Sequence, residues 1–410
     1  MSDSSNGCPV QHMVGEDEHG QFDHHDPAFI ANPWATYETL RSECPVLHSD
    51  RYDGYWLVTQ YDDILAIIKD WETFTSSVVG TLLIPTGVSR TLPYLPLESD
   101  PPEHTRYRSY VRPVFSPRRV NAFAGQLAQL ARELLAPMFE RGEGNIPSEF
   151  SEHMSATTLA TFVGLPPEDH ELWVDLVHRA FEGNVRDEKA AQRASAEFRD
   201  YVTGLIARRR EQRADDLISQ LMDADADGRG LTDDEIFGFV LLLLVAGHET
   251  TASALSYAFW LFASRPDTIE FLREDRRRIP LAIEEIIRLS SPVSIFARNA
   301  TKDVELRGQK IKKGDVVGMA FASANRDERH FDHAEEVRLD RTGNDHLGFG
   351  HGTHVCLGAP LARLELTSAI NALLDADVDI SLGGDIGWSG RGDVMSMKVV
   401  PVTFRPRVTS

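Results

Sequence analysis

A cysteine in a glycine-rich segment is the residue of this chain best suited to chemistry. Cys356 follows Phe349, Gly350 and Gly352 and directly precedes a predicted helix. The two glycines let the backbone lie against a flat ligand, and the amides of a helix N-terminus favour a thiolate over a thiol. His354 offers an imidazole close to the sulfur. A lone cysteine before a helix is usually an inert core residue. The prediction of a thiolate site therefore depends on the two glycines, on His354 and on the helix that follows.

A metal-only interpretation of the same segment stays open at this point. His351, His354 and Cys356 are residue types that bind zinc. Three ligands leave the site without an obvious fourth, and their spacing matches none of the common zinc patterns. The segment therefore predicts a thiolate centre in preference to a zinc site.

An acid beside a hydroxyl lies in the most apolar predicted helix. Ala246, Gly247, Glu249 and Thr250 fall in the middle of a helix that begins after Thr232, where a capping box stands. Glycine is costly inside a helix, and threonine there can bond back to a carbonyl one turn earlier and bend it. The plain interpretation is a helix with a tolerated kink. The chemical interpretation is proton delivery into an otherwise dry pocket.

Two motifs give the chain a specific resemblance. Residues 349–358 match every fixed position of Phe-Gly-x-Gly-x-x-x-Cys-x-Gly, and residues 246–250 match Ala/Gly-Gly-x-Asp/Glu-Thr. The sequence resembles the cytochrome P450 family. The resemblance implies a haem b cofactor with Cys356 as the thiolate ligand of its iron, and Glu249 with Thr250 as the acid–alcohol pair. The residues that would lie against the haem are Ala246, Gly247, Phe349 and Gly358.

Further segments gain meaning only from this resemblance. Glu285 and Arg288 share a helix face, and such a pair alone is usually a solvated bridge of little energetic value. The resemblance implies instead a buried ion pair with Arg341 as its third member. It also implies that basic side chains bind the two haem propionates, although without the motifs they would be interpreted as solvated residues. These side chains are His104, Arg108, Arg298 and His354.

The positions that the resemblance places around a substrate are mostly apolar. Single apolar residues of this kind are usually plain core, so the set predicts a chemical class and not a compound. That class is an apolar organic molecule of small to medium size. The positions are Leu242, Val245, Val293, Ser294, Ile295, Phe296 and Met395.

Composition and charge restrict where the protein works. The chain of 410 residues carries 42 Lys and Arg against 63 Asp and Glu, a net charge of −21, which predicts no binding to nucleic acid or anionic membrane. The strongly apolar run 236–247 is too short to cross a bilayer, and the polar residues 1–26 contain no signal-peptide stretch. An odd, sparse set of cysteines is no disulfide framework, so Cys8 and Cys44 are predicted to be inert. We expect a cytoplasmic protein.

The elements that position these residues are predicted to be mainly helices. We expect a polar tail over residues 1–28 and a single large domain over residues 29–410, mainly α with small β-sheets, with the cytochrome P450 fold around a buried haem. The helix that begins after Thr232 should run to about Ser264, because Pro266 forbids continuation. Residues 78–97 should form an ordered binding loop. Other predicted helices are 33–43, 62–70, 120–140, 154–163, 168–182, 188–210, 215–223, 280–289 and 361–374, with strands at 55–59 and within 304–322.

The combined prediction is an enzyme. A haem-thiolate monooxygenase would activate O2 and insert one oxygen atom into a C–H bond, with electrons from NAD(P)H through a reductase and a ferredoxin. Ferredoxins are acidic, so a local excess of arginine predicts their docking surface on a monomer: Arg106, Arg112, Arg118 and Arg119. Two alternatives stay open. One keeps the haem but changes the outcome to coupling, nitration or desaturation, and the other is a haem- or ligand-binding protein without turnover.

Overall fold

The structure is a computed structural model that describes residues 22–84, 92–181, 188–214, 216–226, 228–389 and 391–407. It confirms the prediction of a single, mainly helical domain with small sheets. The α-helices of the described chain are α1 (Pro27–Ala31), α2 (Pro33–Glu43), α3 (Tyr61–Lys69), α4 (Glu103–Val111), α5 (Pro117–Ala122), α6 (Ala124–Arg141), α7 (Glu152–Val163), α8 (His170–Phe181), α9 (Glu188–Glu211), α10 (Leu217–Asp223), α11 (Asp233–Ser264), α12 (Pro266–Glu274), α13 (Ile279–Ser290), α14 (Phe321–Ala324) and α15 (Ala359–Asp375).

The strands of the described chain are short. They are β1 (Val46–Ser49), β2 (Tyr55–Val58), β3 (Phe74–Thr75), β4 (Glu143–Asn145), β5 (Asp225–Ala226), β6 (Arg229–Gly230), β7 (Ile295–Ala300), β8 (Val304–Leu306), β9 (Gln309–Ile311), β10 (Val316–Ala320), β11 (Val378–Leu382), β12 (Gly387–Trp388), β13 (Met397–Val399) and β14 (Pro401–Pro406). Five of them form a sheet in the order β1-β2-β10-β7-β3. In it β2 and β10 run parallel, although β3 to β9 lie between them in the sequence.

Helix α11 crosses the middle of the fold. It begins after a complete capping box, in which the Thr232 side chain accepts from the Glu235 N–H and the Glu235 carboxylate accepts from the Thr232 N–H. It ends at Ser264, as Pro266 predicts. The whole helix is long and apolar enough to span a membrane, but 61% of its most apolar window is buried inside the protein. Because it packs against α7, α9, α13 and α15, it is a core helix.

One predicted helix is divided into two. The periodicity predicts a single helix over residues 120–140, whereas α5 ends at Ala122 and α6 begins at Ala124. Phe123 lies between them with φ −84° and ψ −7°, and its N–H bonds to Val120 O in a tighter turn. Its ring lies 5.4 Å from the Phe162 ring of α7, so packing favours the break. No proline marks the position in the sequence, and the nearby Gly125 lies inside α6.

The folded body begins earlier in the chain than predicted. The expected polar tail covers residues 1–28, but Phe22 and His24 are 2% and 0% exposed. Asp26 caps α1 by accepting from the N–H groups of Ala28 and Phe29. The predicted boundary after residue 28 therefore falls inside α1. Residues 1–21 of the predicted tail lie outside the described residues.

The cysteines depart from the prediction at one position. Cys44, which ends α2, is disulfide-bonded, so the prediction that it is an inert thiol is wrong. Cys8 lies outside the described residues. Cys356 is free, as a residue that binds a ligand through its sulfur must be.

A buried ion-pair cluster joins α13 to the segment that precedes the cysteine loop. Glu285 and Arg288 are both fully buried, and the guanidinium donates two hydrogen bonds of 2.8 Å to the carboxylate. Arg341 donates to the same carboxylate at 3.0 Å. Burial alone would raise the pKa of Glu285, but the bonds and charges of these arginines and the Arg338 N–H outweigh it, so the pKa is lowered. The three residues that the resemblance grouped are therefore in contact.

Candidate active site

Cys356 lies in a loop whose backbone conformation needs the two glycines. Gly350 and Gly352 have φ angles of +66° and +67°, which residues with a side chain rarely adopt. The resulting turn lets the Cys356 N–H donate to Phe349 O at 2.8 Å. Helix α15 begins at Ala359, immediately after this loop. The sulfur is thus held at a helix N-terminus, as the sequence predicts.

The thiol of Cys356 is subject to opposed influences. Enclosure by protein raises the pKa of the thiol, while the N–H groups of Gly358 and Ala359 and the charges of Arg108 and Arg363 favour the thiolate. Its exposed surface faces a cavity. Because helix-terminal amides stabilise a thiolate, a metal ion in that cavity would complete the stabilisation.

An ion pair supports the cysteine loop from behind. The Arg363 guanidinium donates to both carboxylate oxygens of Glu284, at 2.7 and 2.8 Å. It lies 4.5 Å from the centre of the Phe349 ring, a cation–π contact. Burial would raise the pKa of Glu284, but the bonds from Arg363 and His346 outweigh it and lower the pKa to about 2. The loop therefore rests on a charged pair fixed in one geometry.

The middle of α11 lines the same cavity. Ala246, Gly247 and Thr250 belong to the cavity lining, whereas Glu249, also on α11, does not. The Thr250 hydroxyl donates back to Ala246 O at 2.7 Å, the bond that threonine is expected to make inside a helix. Its oxygen therefore keeps its lone pairs for a group in the cavity.

Gly247 lies at a close approach of α11 and α7. A β-carbon there would lie 2.9 Å from Leu159 Cδ1. The Ser155 hydroxyl of α7 donates to His248 O at 2.7 Å and lies 3.2 Å from Gly247 O. The packing of α7 on α11 therefore leaves a side chain little space at residue 247 unless Leu159 moves.

The cavity has a volume of 240 Å³ and a mostly apolar lining. Of the positions predicted to face a substrate, Leu242, Val293 and Phe296 line it. The structure places the other predicted positions outside the lining: Val245, Ser294, Ile295 and Met395. Successive side chains of a strand point to opposite faces, so Phe296 faces the cavity while Ile295 is buried in the core behind β7.

Four basic side chains converge on one part of the cavity lining: His104, Arg108, Arg298 and His354. The rings of His104 and His354 lie 4.2 Å apart. His104 Nε2 is buried and has no hydrogen-bond partner within the described residues. Arg298 is 5% exposed, and its guanidinium donates to the carbonyl of the preceding Ala297 at 3.3 Å.

The pKa values of three of these basic groups are lower than usual. Burial, with the charges of Arg108 and Arg298, lowers the pKa of His104 to about 4, against a smaller opposing effect of Asp100. Burial and repulsion by Arg298, His104 and Arg108 lower the pKa of His354 to about 2. Burial lowers the pKa of Arg298 to about 10. A bound dianion would reverse these shifts, because a nearby negative charge favours the protonated forms.

Comparisons with known proteins agree with this geometry. The family model described as Cytochrome P450 matches residues 174–376. PksS of Bacillus subtilis (strain 168), a polyketide biosynthesis cytochrome P450, is 33% identical over 402 residues, which cover 93% of this chain and 98% of PksS. The chain belongs to the cytochrome P450 family. The solved structure of PksS matches this P450 with a TM-score of 0.86 and covers 93% of this chain and 99% of its own.

Two further relatives are named or solved with steroids. A steroid C26-monooxygenase of Rhodococcus jostii (strain RHA1) is 32% identical over 382 residues, covering 89% of this P450 and 80% of the relative. The structure of CYP109E1 from Bacillus megaterium in complex with testosterone has a TM-score of 0.83 at 30% identity, covering 92% of this P450 and 98% of that chain.

As a member of the cytochrome P450 family, the protein is an oxidoreductase of the monooxygenase class that uses haem b and draws electrons from NAD(P)H through redox partners.

The residues of this P450 fit haem b. A flat macrocycle with two carboxylates requires a thiolate at one face, backbone without side chains beside it, and cationic donors at one edge. Cys356 and the glycines of its loop meet the first two requirements, and the unpartnered His104 Nε2 beside Arg298 meets the third. The zinc alternative lacks support, because within the described residues no three His, Cys, Asp or Glu side chains are placed to bind a metal.

Three residues of this P450 site were not predicted from the sequence: Ser76, Asp100 and Glu365. Asp100 accepts from the Ser76 N–H and hydroxyl at 3.1 and 3.0 Å, and Ser76 Oγ lies 3.2 Å from His354 Nε2. Glu365 of α15 lines the cavity, is 2% exposed, and has a pKa raised well above its usual value by burial. Asp100 stands in the segment that contains His104, which is a usable signal. Nothing in the sequence around Ser76 or Glu365 points to the site.

Proposed function

We propose that this P450 hydroxylates a C–H bond of an apolar organic substrate of small to medium size, in the cytoplasm and as a monomer. The observation that supports this most directly is that one cavity is lined by Cys356, Thr250 and the basic cluster of His104, Arg108, Arg298 and His354. The rest of its lining is mostly apolar. Such a cavity orders a charged cofactor at one end and leaves the remainder to an uncharged substrate.

In this proposal Cys356 ligates the haem iron, and the basic cluster binds the propionates. When bound, the haem supplies the redox chemistry that activates O2. Ala246, Gly247, Phe349 and Gly358 form the contact surfaces beside the macrocycle. The propionates would give Arg298 and His104 anionic hydrogen-bond partners, which no residue in the described part of the chain gives them. Glu285, Arg288 and Arg341 fix the backbone from which the cysteine loop starts.

The Thr250 hydroxyl, which can both accept and donate a hydrogen bond, lies at the cavity wall. Because its own hydrogen is given to Ala246 O, the hydroxyl first acts as an acceptor toward a group in the cavity. Glu249 is the neighbouring acid in the sequence and lies outside the lining, so it would resupply protons from behind the helix. This division assigns positioning to the alcohol and supply to the acid.

The proposed substrate contacts are Leu242, Val293 and Phe296. These side chains offer hydrophobic surface and no hydrogen-bond partner, which favours substrates rich in hydrocarbon. PksS acts in polyketide biosynthesis by its name, and two relatives are named or solved with steroids. A polycyclic or long-chain apolar skeleton is therefore the class to test first, with testosterone as an available probe.

The ferrous carbon monoxide spectrum tests the assignment of Cys356. The wild-type protein should show the red-shifted band of a thiolate-bound haem, and Cys356→His should lose it while still binding haem. Stoichiometric zinc without haem in the purified protein would overturn the proposal. With a turned-over substrate, Thr250→Ala should release mainly hydrogen peroxide, whereas Thr250→Ser should keep most of the product formed per NAD(P)H.

The electron donor is proposed to be a ferredoxin that docks on the arginines of α4 and α5. Arg112 and Arg118 are exposed, and Arg119 lies beside them, half-buried. Arg106 is already engaged, because it bonds to Glu103 and lies 3.9 Å from Glu235. Arg112 and Arg118 are therefore the stronger members of the predicted set. Opposite charge steers the encounter of an acidic partner and raises its rate.

Charge reversal tests this docking surface. First-electron transfer should slow in Arg112→Glu, while substrate binding stays as in the wild type. It should also slow as salt rises, because the Debye length falls to roughly 3 Å at 1 M ionic strength. Arg329→Glu, at an exposed arginine elsewhere, serves as the control. A rate that responds neither to Arg112→Glu nor to salt would place the docking surface elsewhere.

A further inference from the structure

Two adjacent histidines at the start of the described chain meet one carbonyl oxygen. His24 Nε2 lies 2.6 Å and His25 Nε2 lies 2.9 Å from Ile84 O. Their rings lie 4.1 Å apart. His24 is fully buried, and His25 is half-buried. Since a carbonyl oxygen has two lone pairs, Ile84 O can accept from both rings at once.

The other ring nitrogens determine how both rings are protonated. A backbone N–H only donates, so the contact of 3.2 Å from Gly392 N to His25 Nδ1 requires that Nδ1 carries no proton. The proton of His25 is therefore on Nε2, directed at Ile84 O. Burial lowers the pKa of His24 to about 4, and its Nδ1 lies 2.9 Å from Tyr55 OH. Because a carbonyl oxygen only accepts hydrogen bonds, both Nε2 atoms donate to Ile84 O.

Ile84 belongs to a loop that is attached to the cavity wall. The carbonyl of Leu82, two residues earlier, accepts from the Ala297 N–H of β7 at 2.9 Å. The Ile84 side chain packs on the same sheet, since a β-carbon at Gly318 would lie 3.0 Å from Ile84 Cδ1. The preceding residue on β7, Phe296, lines the cavity. Holding Ile84 therefore holds the strand that presents Phe296.

Gly392 belongs to a turn that is attached to the other part of the same wall. The next residue, Asp393, accepts from the Ser294 N–H at 2.8 Å through its carbonyl. Val394 pairs with Val293, and Val293 lines the cavity. The turn packs closely on the histidine segment, because a β-carbon at Gly392 would lie 1.7 Å from His24 O.

We propose that His24 and His25 are positioning residues for the substrate cavity. By donating to Ile84 O and accepting from the Gly392 N–H, the His24–His25 pair ties the two segments that fix Val293 and Phe296. Neither histidine touches a substrate. The inference rests on the proposed function only in taking this cavity as the substrate site, and it makes the N-terminal segment a determinant of substrate affinity.

Substitutions of the half-buried His25 separate its two contacts. In His25→Gln the amide nitrogen reaches the position of Nε2 and still donates to Ile84 O. In His25→Asn the amide oxygen occupies the position of Nδ1 and still accepts from Gly392, but Ile84 O is out of reach. His25→Phe keeps a ring against His24 and removes both hydrogen bonds. His48→Phe on β1, a half-exposed histidine that touches neither segment, is the matched control.

The affinities of two azoles test the position of Val293 and Phe296 in the cavity lining without a known substrate. Imidazole would offer little more than a nitrogen ligand for the haem iron, whereas the additional phenyl ring of 4-phenylimidazole would contact the cavity lining that includes Val293 and Phe296. A net hydrogen bond of about 1 kcal/mol corresponds to about a fivefold change in affinity. We expect His25→Phe, which loses both contacts, to bind 4-phenylimidazole about fivefold more weakly, with imidazole affinity unchanged. His25→Gln and His25→Asn each keep one contact and should fall between His25→Phe and the wild type, and His48→Phe should stay within about twofold of the wild type for both azoles.

Backbone hydrogen exchange gives a second readout that needs no haem. The amides of Ala297 and Gly392 should exchange about fivefold faster in His25→Phe, while those of α15 keep the wild-type rate. Equal 4-phenylimidazole affinity in all variants, or His25→Gln no better than His25→Phe, would overturn the inference. If no variant binds either azole, the proposed function fails, and unchanged exchange at Ala297 and Gly392 then overturns this inference separately.

Discussion

Two buried clusters of charged side chains differ in how their charge is balanced. In the Glu285 cluster, Arg288 and Arg341 share one carboxylate, and their remaining N–H groups donate to backbone carbonyls such as Ala334 O and Asp332 O. In the basic cluster of His104, Arg108, Arg298 and His354, no ion pair to a carboxylate is made within the described residues, and His104 Nε2 has no partner. The Glu285 cluster therefore stabilises the fold without a ligand, whereas in our proposal the haem propionates supply the anions that the basic cluster lacks.

The largest expected effect is the loss of one member of the complete cluster. Arg288→Ala leaves the Glu285 carboxylate buried without its bidentate partner. Breaking a buried pair in this way costs about 3 to 5 kcal/mol of unfolding free energy. Urea denaturation of the haem-free protein should show it. Glu274→Ala, which removes an exposed pair with Arg278, should change the unfolding free energy by less than about 0.5 kcal/mol.

Replacing an arginine of the basic cluster should not lower the unfolding free energy of the haem-free protein. Arg298→Leu removes a buried, unbalanced charge and replaces it with an apolar side chain, so the haem-free protein should be equally stable or up to about 1 kcal/mol more stable. Haem affinity should fall at least about tenfold, because a buried propionate loses its charged donor. Urea denaturation and a spectroscopic haem titration measure the two effects. A loss of haem-free stability as large as that of Arg288→Ala would remove the distinction between the clusters.

The haem-free protein should lose stability in mild acid through His104. The pKa of His104 is about 4 in the folded chain against an ordinary 6.5, so the unfolded chain binds more protons between these values. The contribution of His104 is therefore complete above pH 6.5 and is lost as the pH falls to about 4. In His104→Gln the pH dependence of unfolding should be shallower over this window. Bound haem should also make it shallower, because the propionates favour protonated His104.

The smallest expected effect compares one substitution at two buried glutamates. Burial raises the pKa of Glu365 well above its usual value and so favours the uncharged carboxyl, which the glutamine side chain resembles. Glu365→Gln should therefore change the unfolding free energy by less than about 0.5 kcal/mol. Glu285→Gln removes the charge that two arginines share and should cost about 2 to 3 kcal/mol. Similar losses for both variants would show that Glu365 is ionised and balanced by a charge in the cavity.

The sequence predicted the ends of a helix correctly where residues at those ends determine them. Thr232 and Glu235 determine where α11 begins, and Ser264 ends it before Pro266. The break at Phe123 has no such signal, since it depends on contact with Phe162 of a different helix. The early start of the folded body likewise depends on the packing of Phe22 and on contacts of His24 with a loop far along the chain.

The candidate site follows the same rule. Cys356, Thr250 and the Glu285 cluster belong to motifs; the structure places Cys356 and Thr250 in the lining of one cavity and brings Glu285 into contact with Arg288 and Arg341. Ser294 and Ile295 were predicted from the family resemblance, but the twofold alternation of β7 turns Ile295 into the core, and the Ser294 hydroxyl contacts Tyr37. Glu365 was missed because its environment consists of residues from other helices. Which side chains surround a cavity depends on tertiary packing, which no single segment encodes.

The parallel pairing of β2 with β10 has a consequence for biosynthesis. Trp56 Nε1 donates to Asp315 Oδ2 across this pair, between residues 259 positions apart. At about 5 to 20 residues per second, the ribosome needs roughly 13 to 50 s to deliver β10 after β2 has emerged. During that time β1 and β2 form at most a two-stranded hairpin, which is marginally stable alone. The nascent chain therefore exposes an unpaired strand edge for most of its synthesis, a state in which other chains can add to it.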